Sequence, residues 1–391
     1  MTFDFDLVIN RENTSSVKFD GRQQYFGTSD VSPLWVADMD FAVPDCVTRA
    51  LQERINHPIF GYTLYPETIY ESIIDWFQRR HQWTIEREWI LFAPGVVPSL
   101  FAAVQAFAKE GEGVITQSPV YFPFFSAVTT NNRKLLNNPL REVDGYYEID
   151  FEHLEYSAQQ GARLLMLCTP HNPVGRVWSE EELQRVLDIA RRYDLTILSD
   201  DIHCDLVYSG VKHRMLGRLA QPGDKIITTI APNKTFNIPG LGLSALIIPD
   251  PTQRKAMRLM FESLHVGNTN PLSMAAFEAA YREGDEWLDG LMRYLESTRD
   301  FAVNFIKENL PEIGSRAPEA TYLLWLDCRK LGMSDSELKS FFIHECKVGM
   351  NPGYVFGDGG GGYMRMNIGV RRSVIKLALE NIKEKLDLLR L

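Results

Sequence analysis

Short apolar runs alternating with helical stretches constrain this chain more than anything else in it. Apolar residues at helical spacing fill Pro98 to Lys109, and Gly111 and Gly113 then mark a stop. The runs that follow are too brief for helices: Gly113 to Thr116, Leu164 to Cys168, Leu195 to Leu198, Lys225 to Ile230 and Leu243 to Ile248. Between the second and third lies a charged stretch from Ser179 to Tyr193. It opens on a hydroxyl followed by Glu180, Glu181 and Glu182, which suits the free N–H groups and positive end of a helix start. Strands and helices in this alternation predict an α/β layer fold with a mainly parallel sheet flanked by helices.

After about residue 280 the pattern changes. A long charged helix is expected from near Asp285 to Asn309, ending before Pro311. Strand-like Tyr322–Leu326, a helix from Ser334 to Glu345, strand-like Tyr363–Ile368 and a last helix from Ser373 follow. These make a smaller α+β unit. The division expected is an irregular, aromatic-rich N-terminal segment (1–44) packing with the small domain, a large α/β domain (45–284) and a small C-terminal α+β domain (285–391), with the long helix as hinge.

Composition removes several classes of function. Of 391 residues 45% are hydrophobic and 24% charged, which excludes wholesale disorder and a coiled-coil rod. The net charge of −10, with no long Lys/Arg block, argues against nucleic acid or an anionic membrane as partner. Five scattered cysteines without C-x-x-C spacing suggest neither a disulfide framework nor a zinc site. The N-terminal stretch carries Asp4 and Asp6 where a signal peptide would carry base. No apolar stretch approaches the ~20 residues that span a bilayer. A cytoplasmic location is expected.

Ligands of parallel sheets bind in the loops after the strands' carboxyl ends, and those loops hold a coherent set of residues. Ala93-Pro94-Gly95-Val96-Val97-Pro98 is a glycine turn opening a helix, a candidate anion cradle. Thr169-Pro170-His171-Asn172-Pro173 follows the Leu164 run, and Ser199-Asp200-Asp201-Ile202-His203 follows the Leu195 run. The paired acids suit a metal, a helix cap or a buried cation, but no cluster with metal-ligand spacing accompanies them. Ala231-Pro232-Asn233-Lys234-Thr235-Phe236-Asn237 follows the Lys225 run. A phosphate cradle, an Asn, an Asp and a Lys after strands of one sheet supply what pyridoxal 5′-phosphate needs. The lysine forms a Schiff base and the acid keeps the pyridine nitrogen protonated.

Here the chain resembles the fold-type I pyridoxal-phosphate enzymes of the class I/II aminotransferase superfamily, and within it the MalY/PatB-like cystathionine β-lyase (C–S lyase) subgroup. The resemblance runs nearly end to end. It is carried by Pro33–Phe41, Phe60-Gly61-Tyr62-Thr63, Gly95–Pro98, Pro119–Phe124, Pro170–Gly175, Ser199–His203, Lys234–Asn237 and Arg365-Met366-Asn367-Ile368. It implies the PLP-dependent transferase-like fold. It also implies that Lys234 is the Schiff-base lysine and the later proton carrier at the substrate Cα. Asp200 would pair with the pyridinium, Asn172 would donate to the phenolic oxygen, and His203 would lie near that oxygen. Tyr121 would stack on the ring, and the Val96 and Val97 N–H groups would hold the phosphate. Asn233 would neighbour the cofactor, and Tyr62 would reach it from the other subunit of a homodimer. Arg365 would grip the α-carboxylate of a small amino-acid substrate.

Three positions depart from the usual pattern: Asn233 stands where serine is usual, Asp201 where glutamate is, and Gly242 where many aminotransferases carry a phosphate-binding arginine. The Pro33–Phe41 motif and Gly242 favour C–S β-lyase activity on L-cystathionine or a related S-substituted cysteine, giving a thiol, pyruvate and ammonia. An aminotransferase acting on a neutral or aromatic amino acid is the alternative, and a non-catalytic regulatory protein of the same fold a third reading. The Gly357–Gly362 stretch lacks the Lys-Ser/Thr of a nucleotide loop.

Overall fold

The computed structural model describes residues 3–266 and 270–390. Seven strands form the main sheet: Ile90–Ala93 (β1), Gly113–Thr116 (β2), Lys134–Asn137 (β3), Ala162–Cys168 (β4), Thr196–Asp200 (β5), Ile226–Ile230 (β6) and Ser244–Ile247 (β7). Their spatial order is β1-β7-β6-β5-β4-β2-β3. The run from β6 to β3 is parallel throughout, while β7 lies antiparallel to both β1 and β6.

The apolar runs read as they do because both faces of this sheet are covered. Side chains alternate along a strand. In β4, Leu164, Met166 and Cys168 enter a cluster with Leu100, Val104, Phe124 and Phe261, while Leu165 and Leu167 enter another with Leu154, Leu183, Val186 and Leu187. The helix Glu180–Arg192 starts on the expected hydroxyl. Ser179 accepts from the Glu182 N–H at 3.1 Å, and the Glu182 carboxylate accepts from the Ser179 N–H at 2.7 Å, a reciprocal cap.

A second, antiparallel sheet comprises Gly314–Ser315 (β8), Leu323–Asp327 (β9), Asn351–Pro352 (β10) and Tyr363–Asn367 (β11), ordered β8-β9-β11-β10. The long helix Asp285–Asn309 has the expected bounds and packs against Arg372–Leu389. Two local expectations change. The helix after Ser334 is α-helical only over Asp335–Ser340 and widens to a π-turn over Phe341–Glu345. The N-terminal segment is not wholly irregular: it holds the helices Val17–Asp20 and Arg22–Phe26, and its Ser32–Pro33 pairs in parallel with Val348–Gly349. Pieces this short carry no readable periodicity.

That segment delivers a backbone strap, Trp35–Phe41, to the seam between the two sheets. Asn367 donates to the Val36 and Asp38 carbonyls at 2.6 and 2.7 Å, and Asn237 donates to those of Met39 and Phe41 at 2.9 and 2.8 Å. A charge cluster clamps the acids of the strap. Arg11 reaches Asp38 at 2.8 Å and Asp40 at 2.7 Å, and the Lys18 ammonium lies 2.9 Å from Asp40 and 3.7 Å from Asp38.

Lys18 has no exposed surface, so removing its charge leaves Arg11 to balance two carboxylates in a largely closed place. Lys18→Met is expected to destabilise the fold by about 3 kcal/mol in urea unfolding. A loss under about 0.5 kcal/mol, the range of ordinary surface changes, would show that Arg11 alone secures the strap.

Candidate active site

The parallel strands end together, and beyond their carboxyl ends lies a cavity of about 360 Å³. β4 ends at Cys168, four residues before Asn172; β5 ends on Asp200; β6 ends at Ile230, four residues before Lys234. Arg365 arrives from the middle of β11 in the other sheet. Nine of the ten residues singled out from sequence line this one cavity: Val96, Val97, Tyr121, Asn172, Asp200, His203, Asn233, Lys234 and Arg365. The tenth, Tyr62, is fully exposed in the segment between the helices Asp45–Asn56 and Glu67–His81, among exposed Ile59, Phe60 and Leu64.

One wall is the start of the helix Val96–Phe107. No side chain caps it, and Gly95 precedes it. Pro98 has no N–H, so the free donors of the first turn are those of Val96 and Val97. Gly242 faces the same wall, where even a Cβ would come within 3.2 Å of the Pro94 carbonyl. A larger residue there would require the Pro94 peptide to give by a few tenths of an ångström.

Asp200 is buried, and its carboxylate accepts from the Thr229 hydroxyl and the Ile202 N–H, both at 3.3 Å. Burial pushes its carboxyl up to about 7, with neighbouring Asp201 adding to the effect and these donors opposing it. Asp201 turns the other way, accepting from Ser199 and lying 3.1 Å from His213. The Lys234 amine donates to the Ala37 carbonyl at 2.7 Å. Burial, then the like charge of Arg365, pulls it down to about 8 against the pull of Asp38 and Asp200.

Among the described residues the Arg365 guanidinium meets no carboxylate. It donates to Asn172 Oδ1 at 2.9 Å, Asn351 Oδ1 at 2.8 Å and the Trp35 carbonyl at 3.2 Å, and lies 4.8 Å from the Phe356 ring. Burial lowers it to about 10. Because Asn172 Oδ1 is taken, its amide N–H₂ is the end left for the cavity. His203 is buried with Nδ1 unpartnered, and burial, with Lys234 and Arg365 nearby, brings it down to about 3, so it is neutral. Asn233 Oδ1 is also buried and unpartnered. Tyr121 is raised by burial, chiefly, with its ring 5.0 Å from that of Phe122.

Sequence reasoning did not single out Asn351, Phe356, Thr229 or Tyr322. Nothing in their local sequence marks them, since each acts through a tertiary contact. Trp35 and Ala37 lay inside the Pro33–Phe41 motif, but the motif gave no sign that their carbonyls are the functional atoms.

The family model for class I and II aminotransferases matches residues 29–382. The chain is 42% identical to the cystathionine β-lyase PatB of Bacillus subtilis (strain 168), covering 98% of this chain and 100% of that one. It is 32% identical to the protein MalY of Escherichia coli (strain K12), with 96% of each covered. Among solved structures it is similar to cystalysin from Treponema denticola, which contains pyridoxal 5′-phosphate, with a TM-score of 0.96 at 39% identity and 100% of both chains covered.

An Asp that binds its proton more tightly folded than unfolded makes the fold lose stability as pH rises from near 4 to about 7. In the cofactor-free protein, Asp200→Asn is therefore expected to be the more stable form at pH 8, by up to about 4 kcal/mol. At pH 4 the two should match. Denaturant unfolding at both values checks this, and a difference independent of pH would refute it.

Proposed function

The chain belongs to the class I and II aminotransferase family, and we propose that it is a pyridoxal 5′-phosphate-dependent C–S β-lyase. It cleaves L-cystathionine or a related S-substituted cysteine to a thiol, pyruvate and ammonia. The convergence of Lys234, Asp200, Asn172 and Arg365 on one cavity carries the reading. The full-length likeness to a cystathionine β-lyase at 42% identity directs it to C–S cleavage.

The residues fit the cofactor. A buried carboxylate without a cation against it, two free N–H donors at a helix start, and the unpartnered His203 Nδ1 and Asn233 Oδ1 are groups that a phosphorylated pyridine would satisfy. Lys234 would carry it and Asp200 would face the ring nitrogen. Asn172 and His203 would lie by the phenolic oxygen, Tyr121 against the ring, Val96 and Val97 at the phosphate, and Asn233 beside it. When bound, the cofactor supplies a ring that withdraws electrons from the substrate Cα.

The chain's own groups do the rest. A cation opposite Asp200 reverses the effect of burial and keeps the carboxylate ionised. Arg365, held by Asn172, Asn351 and Trp35, presents a planar donor fork to the α-carboxylate. Lys234, pulled down to about 8, is partly neutral near physiological pH and can take the Cα proton. Neutral His203 and the apolar walls from Trp35, Val36 and Pro239 limit water around these groups.

The assembly we propose is a homodimer in which Tyr62 reaches the neighbour's cofactor, supported by its full exposure beside Ile59, Phe60 and Leu64. The division into residues 1–44, 45–284 and 285–391 is supported by the two separate sheets and by the pairing of Ser32–Pro33 with Val348–Gly349. A cytoplasmic site is supported by five buried, unpaired cysteines. Among the described residues no helix is long and apolar enough to cross a membrane.

Incubating the holoenzyme with L-cystathionine should release thiol, pyruvate and ammonia in equal amounts. Lys234→Ala is expected to lower that rate at least about 1,000-fold. Keto acid formed from amino acids with 2-oxoglutarate, without thiol release, would replace this reading with transamination.

A further inference from the structure

One carbonyl in the cavity wall is shared by two donors, one following β6 and one preceding β9. The Ala37 oxygen accepts from the Lys234 amine at 2.7 Å and from the Tyr322 hydroxyl at 2.9 Å. We propose that this carbonyl is the resting place of the Lys234 amine whenever the amine is not bound to cofactor, and that Tyr322 is the positioning residue that fixes it. The inference rests on the cofactor reading above and adds to it a residue that does not itself line the cavity.

The peptide cannot easily turn away. Its neighbours Val36 and Asp38 are both held by Asn367, at 2.6 and 2.7 Å, and Met39 exchanges two hydrogen bonds with Asn237, at 2.9 Å each. Tyr322 is equally fixed. It is fully buried, its own carbonyl accepts from Ile368 at 2.8 Å, and its ring lies 6.3 Å from that of His203. Burial, with Asp38 adding and Arg365 opposing, raises the phenol far above its ordinary range, so the hydroxyl remains a donor.

Sharing has a chemical consequence. A carbonyl oxygen has two lone pairs, and a donor on one leaves less electron density for the other. The groups facing the amine are Arg365 from β11, Asp200 from β5, Asp38 from the strap and His203. Ala37 supplies the neutral acceptor among them. With Tyr322 in place the oxygen holds the amine without over-stabilising its charged form. Without it, the carbonyl is a better acceptor for ammonium and a looser support for the amine. A proton carrier must return to one place every turnover, and small misplacements of such groups are costly.

The cofactor-free protein is mixed with pyridoxal 5′-phosphate across a pH series, and the growth of the visible band of the lysine-bound cofactor is followed. Only the neutral amine attacks, so the midpoint of the rate profile reports the ionisation of Lys234. Tyr322→Phe should move that midpoint upward by about half a unit. On L-cystathionine the same variant should lower kcat about 10-fold with KM little changed. A 3-fluorotyrosine placed at 322 is a stronger donor and should move the midpoint downward. Tyr281→Phe removes a buried hydroxyl that has no partner, and its profile should match the parent. Coincident profiles for the parent, Tyr322→Phe and the fluorinated protein would overturn the proposal. If Tyr322→Phe does not take up cofactor, the fluorinated protein decides alone. A parent protein that forms no band fails the cofactor reading itself, a separate outcome.

Discussion

Asp200, Lys234 and Arg365 share one desolvated cavity, and none of the three is paired with another. Taking charge out of water is expensive unless an opposite charge meets it directly. Here the expense shows as displacement of every group toward its neutral form: the acid up to about 7, the amine down to about 8, the guanidinium down to about 10. A site with this imbalance cannot hold itself together. It has to be imposed by a frame stable enough to bear it, and the same displacements leave the amine ready to exchange protons near neutral pH.

The frame imposes it from several directions. Parallel strands bring Asn172, Asp200 and Lys234 to one edge, and they stay fixed because alternate residues of β4 belong to two separate apolar clusters. The lysine loop is also tied from below. Asp205 accepts from Thr235, next to Lys234, at 3.0 Å, from Trp76 at 3.1 Å, and lies 2.7 Å from His81. Burial alone would raise Asp205, but His81, Thr235 and Trp76 outweigh it and hold the carboxyl below its ordinary range. From above, the strap fixes the partners of Lys234 and Arg365 through backbone carbonyls, and Arg11 and Lys18 in turn hold the strap.

Such division of labour explains what could be read from sequence. Asn172, Asp200 and Lys234 were legible because each stands just after a short apolar run, and the runs betray a parallel sheet. Arg365 needed the Arg-Met-Asn-Ile motif, since Arg371 and Arg372 offer the same charge nearby. The antiparallel course of β7 was hidden, as a run buried on both faces looks alike in either direction. Tyr322, Asn351 and Asn367 were hidden for another reason. They face the cavity or the strap from the second sheet, across hundreds of residues of chain, and a Tyr or Asn in a strand or turn is unremarkable by itself. Tyr62 could be placed in a role only by resemblance, since its exposed side chain does not line the cavity.

The sheet and the strap do different chemical work. In the proposed reaction the groups at the strand ends, with Arg365 from the second sheet, would serve the steps that elimination and transamination share: seating the cofactor, gripping the carboxylate, removing the Cα proton. After that proton leaves, the outcome depends on where the amine goes next and on what surrounds Cβ. The amine goes to Ala37, and Trp35, Val36 and Ala37 supply part of the cavity wall. The segment that pointed to the lyase subgroup in sequence is thus also the one against which the Lys234 amine rests. It meets Lys234 and Arg365 through carbonyl oxygens, atoms that every residue has. Trp35 and Val36 line the cavity while Asn367, Asn237 and Tyr322 fix the backbone that carries them, so in the proposed reaction a substitution in the strap would act both through the wall it presents and through the carbonyls it positions.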